Sequence, residues 1–188
     1  MKNAYFIAAS LAVAVLLSAG CGKKEEAAKG AVSPPPPAQV QVSRVVIAAA
    51  SALKIEPPFR VVADSQAAGG KYVGTPLGPN GEHTNKPCTA SYEFTIPKAD
   101  TYYLWIRKNW SGGCSNSLFV KLDGQPEFIF GEDGTYDRWD WVDAMRRTFN
   151  LSAGKHKLLI KNREDDSKFD QILFIADKDY VPQGIEEK

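Results

Sequence analysis

Residues 138–174 contain three short hydrophobic runs, RWDWV (138–142), FNLSAGKHKLLIKN (149–162) and FDQILF (169–174), separated by polar residues. Apolar and polar residues alternate within these runs, which is typical of β-strands with one buried face. The glycine-containing turn at residues 152–155 predicts a hairpin between the strands on either side of it. The segment therefore predicts consecutive antiparallel strands, as in a β-sandwich.

Seven shorter runs upstream also predict strands, at residues 45–52, 60–63, 71–73, 90–96, 102–108, 117–122 and 128–130. Residues 74–88 are rich in proline, glycine and asparagine and predict a long loop. We find no amphipathic helix pattern of ordinary length. The predicted fold class is all-β, with about 140 residues sharing one core.

The order of the motifs is similar to that of a known class of module. AGGKYV (68–73), TYYLWIR (101–107) and NSLFVKLDG (116–124) precede the W-x-W, N-R-E-D and F-D-x-I-L-F motifs of the later segment. Together they resemble the carbohydrate-binding modules of the galactose-binding-like jelly-roll type, families 6 and 35, over residues 45–182. The resemblance implies a single jelly-roll β-sandwich, although a fold does not determine what its loops bind.

The N-terminus has the features of an export signal. A short basic start is followed by an apolar run at residues 4–17, which is too short for a spanning helix, and then by LSAGC (17–21). The small residues before Cys21 resemble a bacterial lipobox, which implies a lipoprotein signal peptide at residues 1–20 and an acylated Cys21. Two or three acyl chains give stable membrane anchoring. The alternative is an ordinary signal peptide in which Cys21 is incidental.

The predicted anchor implies a location at the cell envelope. If the cell is Gram-negative, the outer membrane is expected, because Gly22 and not aspartate follows the acylated cysteine. Residues 21–41 lack an apolar pattern and include a run of four prolines (34–37), which predicts an extended linker. The β-sandwich is expected at residues 42–188. Lysine and arginine total 23 against 22 acidic residues, so no charge excess favours nucleic acid as a partner.

Modules of the resembling families commonly bind a structural calcium through two glutamates in the first strand. Ala48 and Ala50 occupy those positions in this chain. Asp170, whose family counterpart can contribute to the calcium site, is therefore left without its anionic partners. Because calcium requires several oxygen ligands, we expect no metal or other cofactor and no calcium requirement for folding.

Residue patterns suited to catalysis are sparse. The chain has two histidines, His83 and His156, and no C-x-x-C spacing, so a zinc site is not expected. It has neither a G-x-S-x-G motif nor a phosphate-binding glycine loop. Asp140 and Asp143 are interpreted as solvated charges and not as a glycosidase pair. The sequence thus predicts a protein that is not an enzyme.

Carbohydrate binding needs aromatic rings for the C–H face of a pyranose and planar polar groups for its hydroxyls. Trp139 begins a strand after a polar loop and is the main candidate for stacking. Trp141 shares its face and is either a second platform or a core residue. Trp110 lies in a glycine-rich loop where exposure is expected, whereas Tyr103 and Trp105 lie in mid-strand and are expected to be structural. The predicted ligand-binding residues, expected at one end of the sandwich, are Trp139, Trp110, Tyr136, Trp141, Asn116, Arg107, Asp140 and Lys168.

Two positions depart from the sugar-binding site of family 6. Thr75 stands where that family often has a tyrosine, and Lys168 stands where it often has an asparagine. A lysine suits an acidic sugar better than a neutral one. The expected partner is a polysaccharide or oligosaccharide. The alternative is a degenerate jelly-roll that serves as an envelope structural or protein-interaction module.

Cys88 and Cys114 are the cysteines that remain once Cys21 is acylated. Both lie in loops at the ends of strands that we expect to be neighbours, and export would bring them into an oxidising compartment. The sequence therefore predicts a disulfide between Cys88 and Cys114. The alternative is a pair of buried, inert thiols.

Overall fold

The structure is a computed structural model that describes residues 42–187, so the predicted signal peptide, the acylated Cys21 and the linker lie outside the described residues. Within residues 42–187 no helix is long and apolar enough to cross a membrane. The described chain forms β-strands and two single turns of 3₁₀ helix, at Ala49–Ser51 and Ala68–Gly70. The strands are β1 (Arg44–Ala48), β2 (Lys54–Ile55), β3 (Arg60–Ala63), β4 (Lys71–Gly74), β5 (Thr89–Ile96), β6 (Asp100–Trp110), β7 (Ser117–Leu122), β8 (Phe128–Gly131), β9 (Asp140–Leu151), β10 (Gly154–Asn162) and β11 (Ser167–Ile175).

The strands form two sheets. Sheet A has the order β3-β4-β11-β6-β9, with β1 also paired to β11, and sheet B has the order β2-β5-β10-β7-β8. The strand pairs are antiparallel in both sheets. The predicted all-β jelly-roll sandwich is thereby confirmed.

Strand β6 shows how the alternation in the sequence divides the two faces of sheet A. Tyr102, Leu104 and Ile106 are fully buried and point towards sheet B, where they contribute to the main core. Tyr103 and Trp105 point the other way and are only half-buried. Removal of one fully buried large apolar side chain from water contributes about 1.5–3 kcal/mol, so the inward set determines which face of β6 is internal. The side of sheet A that points away from sheet B is called its outer face below.

The hairpin predicted around residues 152–155 is not formed. Strand β9 pairs with β6 in sheet A, whereas β10 pairs with β5 and β7 in sheet B. The turn therefore carries the chain from one sheet to the other, and Gly154 has a φ of 123° there. Period-two alternation shows that each strand has one buried face, and strands on opposite sides of a core satisfy that pattern as well as strands in one sheet.

The predicted disulfide is also wrong, because Cys88 and Cys114 are both free. The strands that follow them, β5 and β7, are not neighbours but lie on either side of β10, and Lys161 of β10 faces both Thr89 and Phe119. Two strand spacings separate the chains by about 9–10 Å, which exceeds the Cα separation of a disulfide. Cys88 is buried and Cys114 is exposed, which also differs from the alternative of two buried thiols.

After β11 the chain crosses the outer face of sheet A as a segment without regular structure, residues 176–187. Glu186 fastens this segment: its side chain accepts hydrogen bonds from Arg44 (2.8 Å) and from the Tyr180 hydroxyl (2.6 Å). The Gln171 amide binds both the N–H and the carbonyl of Glu186. The segment covers a small second hydrophobic cluster built on Trp141, Leu173 and Ile175.

Candidate ligand-binding site on the outer face of sheet A

A cavity of about 320 Å³ opens on the outer face of sheet A, between the start of β9 and the C-terminal segment. Four of the eight predicted ligand-binding residues line it, namely Arg107, Trp139, Asp140 and Trp141. The opposite wall consists of residues 181–184. The cavity therefore lies over the strands of the sheet and not among the loops at the end of the sandwich.

Trp139 is half-buried, and its ring is held by contacts from several strands of sheet A. The centroids of the Trp139 and Tyr72 rings are 5.8 Å apart, and the rings are tilted by 56°. The guanidinium carbon of Arg107 lies 5.3 Å from the centroid of the Trp139 ring, within cation–π distance. The indole N–H donates to the Asp64 carboxylate at 3.3 Å. The ring is thus fixed in orientation while part of it remains accessible from the cavity.

Arg107 is 7% exposed and forms a buried ion pair with Asp170, which is inaccessible to solvent. Asp170 is the extra residue of a β-bulge in β11, between the positions that face Lys108 and Arg107 of β6. The Asp170 Oδ2 atom also accepts the Ala68 N–H at 2.7 Å, whereas Oδ1 has no hydrogen-bond partner among residues 42–187. Burial raises the pKa of Asp170 to about 6, because it outweighs the Ala68 N–H and the Arg107 charge, which both lower it.

The calcium site of the resembling families does not fit this arrangement. The Asp170 carboxylate is already occupied by Arg107, so a guanidinium supplies the positive charge beside it. Ala48 and Ala50 offer no anionic oxygen. Within residues 42–187 no group of three or more His, Cys, Asp or Glu side chains is placed to hold a metal ion. That folding does not need calcium stays a prediction.

The sequence left Trp141 as either a second stacking platform or a core residue, and the structure shows features of both. Its edge lines the cavity, but only 8% of the residue is exposed, and its body packs on Leu173 and Ile175. Its indole N–H donates to the Gly184 carbonyl at 2.9 Å. Trp141 therefore holds the C-terminal segment in place and leaves Trp139 as the more accessible ring. Asp140, which forms an ion pair with Arg138 at 3.0 Å, is half-buried at the rim.

The prediction that Trp110 is exposed is wrong. Trp110 is the last residue of β6, points into the sandwich and is fully buried. Its indole N–H donates to Asp133 at 2.6 Å, and Asp133 also forms an ion pair with the buried Lys108 at 3.0 Å. The even-numbered residues of β6 face the core, so extending the strand by two residues would have placed Trp110 inside. Trp110 is a core residue that anchors the loop carrying Trp139.

The remaining three predicted residues lie elsewhere and do not line the cavity over Arg107. Tyr136 is 39% exposed, with its hydroxyl beside Gly113. The backbone N–H of Asn116 donates to the Glu164 carboxylate at 2.9 Å. The Lys168 ammonium donates to the Ser111 hydroxyl at 3.0 Å. The single cluster predicted from the sequence is therefore divided between the outer face, the interior and the loop end.

Tyr72 is a residue of this site that the sequence analysis missed. It belongs to the AGGKYV motif and contacts Trp139 across the sheet. Val73, its neighbour in β4, is fully buried, so alternation places Tyr72 on the outer face. That alternation was present in the sequence, but β4 has only four residues, too few for the pattern to stand out.

Neither protein-family models nor curated proteins match this sequence. Solved structures do match. The family 35 carbohydrate-binding module from Clostridium thermocellum has 19% identity and a TM-score of 0.52, with 71% of this chain and 98% of that chain covered. The carbohydrate-binding module CBM6cm-2 from Cellvibrio mixtus lichenase 5A, in complex with cellotriose, has 20% identity and a TM-score of 0.50, with 71% and 96% covered.

An exo-β-1,3-galactanase from Phanerochaete chrysosporium, in a structure with β-1,3-galactotriose, also matches, with 15% identity and a TM-score of 0.51. The match covers 70% of this chain but only 29% of the galactanase chain. At these identities the similarity concerns the fold. The fold is that of the jelly-roll carbohydrate-binding modules of families 6 and 35, as the order of the motifs implied.

Proposed function

We propose that this chain is a non-catalytic carbohydrate-binding module, held at the bacterial cell envelope by a lipid on Cys21 and a proline-rich linker. The observation that carries the proposal is the cavity on the outer face of sheet A, in which a half-buried tryptophan lies over a buried arginine. Its volume, about 320 Å³, falls at the lower end of the range found for small-molecule sites, roughly 300–1,000 Å³.

The residues of the cavity suit a pyranose. The accessible part of the Trp139 ring offers an apolar surface for the C–H face of a sugar, with a gain from dispersion and buried area. The Arg107 guanidinium has N–H groups to donate to hydroxyl or ring oxygens, and the Asp140 carboxylate accepts from hydroxyls. Because Tyr72 and Asp64 already fix the Trp139 ring, little side-chain entropy is lost on binding.

Two further observations support binding without catalysis. Asp170, whose raised pKa would suit a general acid, is inaccessible beneath Arg107 and cannot reach a substrate. Glycosidases use two carboxyl groups that flank the scissile bond. In the cavity only Asp140 offers a carboxylate, and it is paired with Arg138. The ligand class we propose is an oligosaccharide or polysaccharide, in line with the cellotriose and galactotriose in the similar structures.

The alternative is a degenerate jelly-roll that serves as an envelope structural or protein-interaction module. Thr75, which stands where family 6 often has its sugar-binding tyrosine, is 3% exposed. No ring is therefore offered at that position. In this alternative the C-terminal segment would close the outer face of sheet A, and Trp139 would serve only to pack against Tyr72.

A glycan array probed with the full chain in detergent tests the proposal, followed by affinity electrophoresis on the glycan that is retained best. We expect Trp139→Ala to lower the affinity at least about tenfold, the equivalent of one good stacking contact. The melting temperature should fall by only a few degrees, because the ring is half-buried.

Phe119→Ala is the matched control, since Phe119 is a half-buried aromatic residue on sheet B, under the Lys161 ammonium. It should leave retention unchanged. Binding of no glycan at all, or equal retention of the Trp139→Ala variant, would favour the structural alternative.

A further inference from the structure

A second and larger cavity, of about 460 Å³, lies on the same outer face of sheet A. It is bounded by β6, by the middle of β9 and by residues 178–181 of the C-terminal segment. Val181 lines this cavity as well as the one over Arg107, so the two are neighbours. No part of the function proposed above uses the second cavity.

Three aromatic residues line this cavity. Tyr103 and Trp105 occupy successive outward positions of β6, about 7 Å apart along the strand. Tyr180 reaches the cavity from the C-terminal segment and is held by its hydrogen bond to Glu186. All three side chains are half-buried, so the two residues expected from the sequence to be purely structural present accessible surface.

A β-bulge of several residues in β9 forms the rim of the cavity opposite the C-terminal segment. Trp105 faces Asp143 and Tyr103 faces Thr148, so residues 144–147 of β9 are opposed only by Leu104 of β6. Two residues of the bulge, Met145 and Arg146, have φ values of 52° and 58°. Residues other than glycine rarely adopt this left-handed backbone conformation. β-Bulges are common next to functional sites, where they change the direction in which a side chain points. The bulge places Arg146 at the cavity.

Positive charge predominates at the rim. The lining includes Arg146, Arg147 and Lys178, against the two carboxylates of Asp143 and Asp179. Among residues 42–187 no carboxylate lies within 4.0 Å of the charged nitrogens of these three cations. Arg147 stacks on Phe128, with 4.7 Å between the guanidinium carbon and the ring centroid, so Arg146 and Lys178 are the cations left to bind a ligand.

The outer face of sheet B is different in this respect. Lys155 there forms an ion pair with Glu93 at 2.7 Å, and Lys161 forms one with Glu127 at 2.6 Å. Those two cations are neutralised, whereas Lys121 and Lys157 of the same face have no carboxylate within 4.0 Å among residues 42–187. The one aromatic residue that lines the depression over these two lysines, Tyr92, is only 2% exposed, whereas the cavity of sheet A combines its cations with accessible rings.

We infer that this second cavity binds an anionic sugar unit, a pyranose carrying a carboxylate or a sulfate. The ring would pack on Tyr103 and Trp105, and the acid group would accept charge-assisted hydrogen bonds from Arg146 and Lys178. Asp143 and Asp179 would accept hydrogen bonds from sugar hydroxyls. The inference rests on the function proposed above, and it adds a second site and the chemical class of its ligand.

The test uses the full chain in detergent and three probes: a galacturonic acid trimer, its fully methyl-esterified and therefore neutral form, and a sulfated galactose trimer. The variant is Arg146→Asn with Lys178→Ala, because asparagine tolerates the left-handed conformation of position 146. We expect the affinity for the carboxylated or the sulfated trimer to fall at least about tenfold, the equivalent of one charged hydrogen bond. The anion whose binding is lost identifies the acid group.

Lys155→Ala with Lys157→Ala is the control, because it removes two exposed positive charges from sheet B. It should leave the affinity for the anionic trimer unchanged, and the methyl ester should bind the wild type more weakly than the acid does. Equal binding by wild type and the Arg146→Asn/Lys178→Ala variant would overturn the inference. So would failure of both anionic trimers on a protein that still retains a neutral glycan through Trp139. If no glycan of any kind is bound, the proposed function itself fails.

Discussion

The interior of the sandwich around Trp110 and the outer face of sheet A around Trp139 contain the same three groups, a tryptophan, a cation and an aspartate, but only the outer face leaves its tryptophan accessible. Each region places a tryptophan beside a cation, Lys108 in the interior and Arg107 on the outer face. Each cation is paired with a buried or partly buried aspartate. Trp110 is nevertheless fully buried, whereas Trp139 is half-buried at the edge of a cavity.

The difference between the two tryptophans follows from the position of each relative to its strand. Trp110 ends β6 and points inward like the other even-numbered residues of that strand, and Asp133 binds its indole N–H from the loop between β8 and β9. Trp139 directly precedes β9, outside the alternation, and its side chain lies across the outer face towards Tyr72. A tryptophan near a loop is thus not by itself a binding residue; its exposure depends on whether it continues the inward-facing side of a strand, as Trp110 does, or lies outside the strand, as Trp139 does.

The largest effect that separates the two regions is expected for Trp110→Ala. Truncation of a fully buried tryptophan leaves a large cavity and removes the hydrogen bond to Asp133, so we expect a loss of about 3–5 kcal/mol of unfolding free energy. Urea denaturation followed by circular dichroism measures this loss. For Trp139→Ala the same measurement should give about 1 kcal/mol, because its ring is only half-buried.

Trp110→Phe separates packing from hydrogen bonding, because phenylalanine keeps most of the ring volume and lacks the indole N–H. It should cost less than Trp110→Ala, about 1.5–3 kcal/mol for a hydrogen bond to a charged group. If Trp110→Ala proved no more destabilising than Trp139→Ala, the comparison between interior and outer face would be wrong.

Much of the fold followed from alternation, because every second side chain of a strand must be buried or solvated. Strands β3, β5 and β7 lie within one residue of their predicted bounds. The assignment of strands to sheets did not follow, since the connection from β9 to β10 looks like a hairpin in sequence and crosses between sheets in space. The predicted disulfide failed because alternation does not give the order of strands within a sheet either, and β10 lies between β5 and β7.

The candidate site was predictable in part. Arg107, Trp139 and Asp140 were proposed together as binding residues and do line one cavity, because the W-x-W motif opens the strand beside β6, although the cavity lies over the sheet and not at the loop end. The wall at residues 181–184 depends on how Glu186 fastens the C-terminal segment. Glu186 binds Gln171, 15 residues away, and Arg44, 142 residues away, and short sequence motifs carry no signal for such contacts.

The second largest effect concerns the ion pair under Trp139. The pKa of Asp170 is raised to about 6 by burial, above its value in the unfolded chain. Its protonated form is therefore favoured by folding, and the stability linked to it is present below about pH 4 and lost as the pH rises through about 6. We expect the wild type to lose about 2 kcal/mol relative to Asp170→Asn between these pH values, because the unfolded carboxyl is already half ionised near pH 4 and the folded one only half ionised near pH 6.

Denaturant titrations of wild type and Asp170→Asn at several pH values between 4 and 7 measure that difference. Asp137→Asn is a matched control, because Asp137 is exposed and has a φ of 56°, which asparagine tolerates. Parallel pH profiles for wild type and Asp170→Asn would show that the Arg107 charge balances the burial of Asp170. The outer face would then rest on an ordinary ion pair.

The smallest effect is expected for the ion pair between His156 and Asp123, on sheet B. Burial opposes the charged imidazole, but the Asp123 carboxylate and the Ser152 carbonyl, each 2.9 Å from a ring nitrogen, together raise the pKa of His156 above its usual value. The corresponding stability is complete below the unfolded pKa of about 6.5 and is lost as the pH rises through the folded value. Because Asp123 is partly solvated, we expect less than about 1 kcal/mol.

His156→Gln removes this titration, so the stability difference between wild type and variant should shrink between about pH 6 and pH 8. His83→Gln, at the other histidine, which is exposed in a loop, should show no such change. The Asp170 effect falls mainly below pH 6 and the His156 effect above it, so one pH series separates the buried pair of sheet A from the half-exposed pair of sheet B. A wild-type profile that loses stability only above pH 6 would place the dominant titrating group on sheet B, and the outer face of sheet A would lose its distinctive electrostatics.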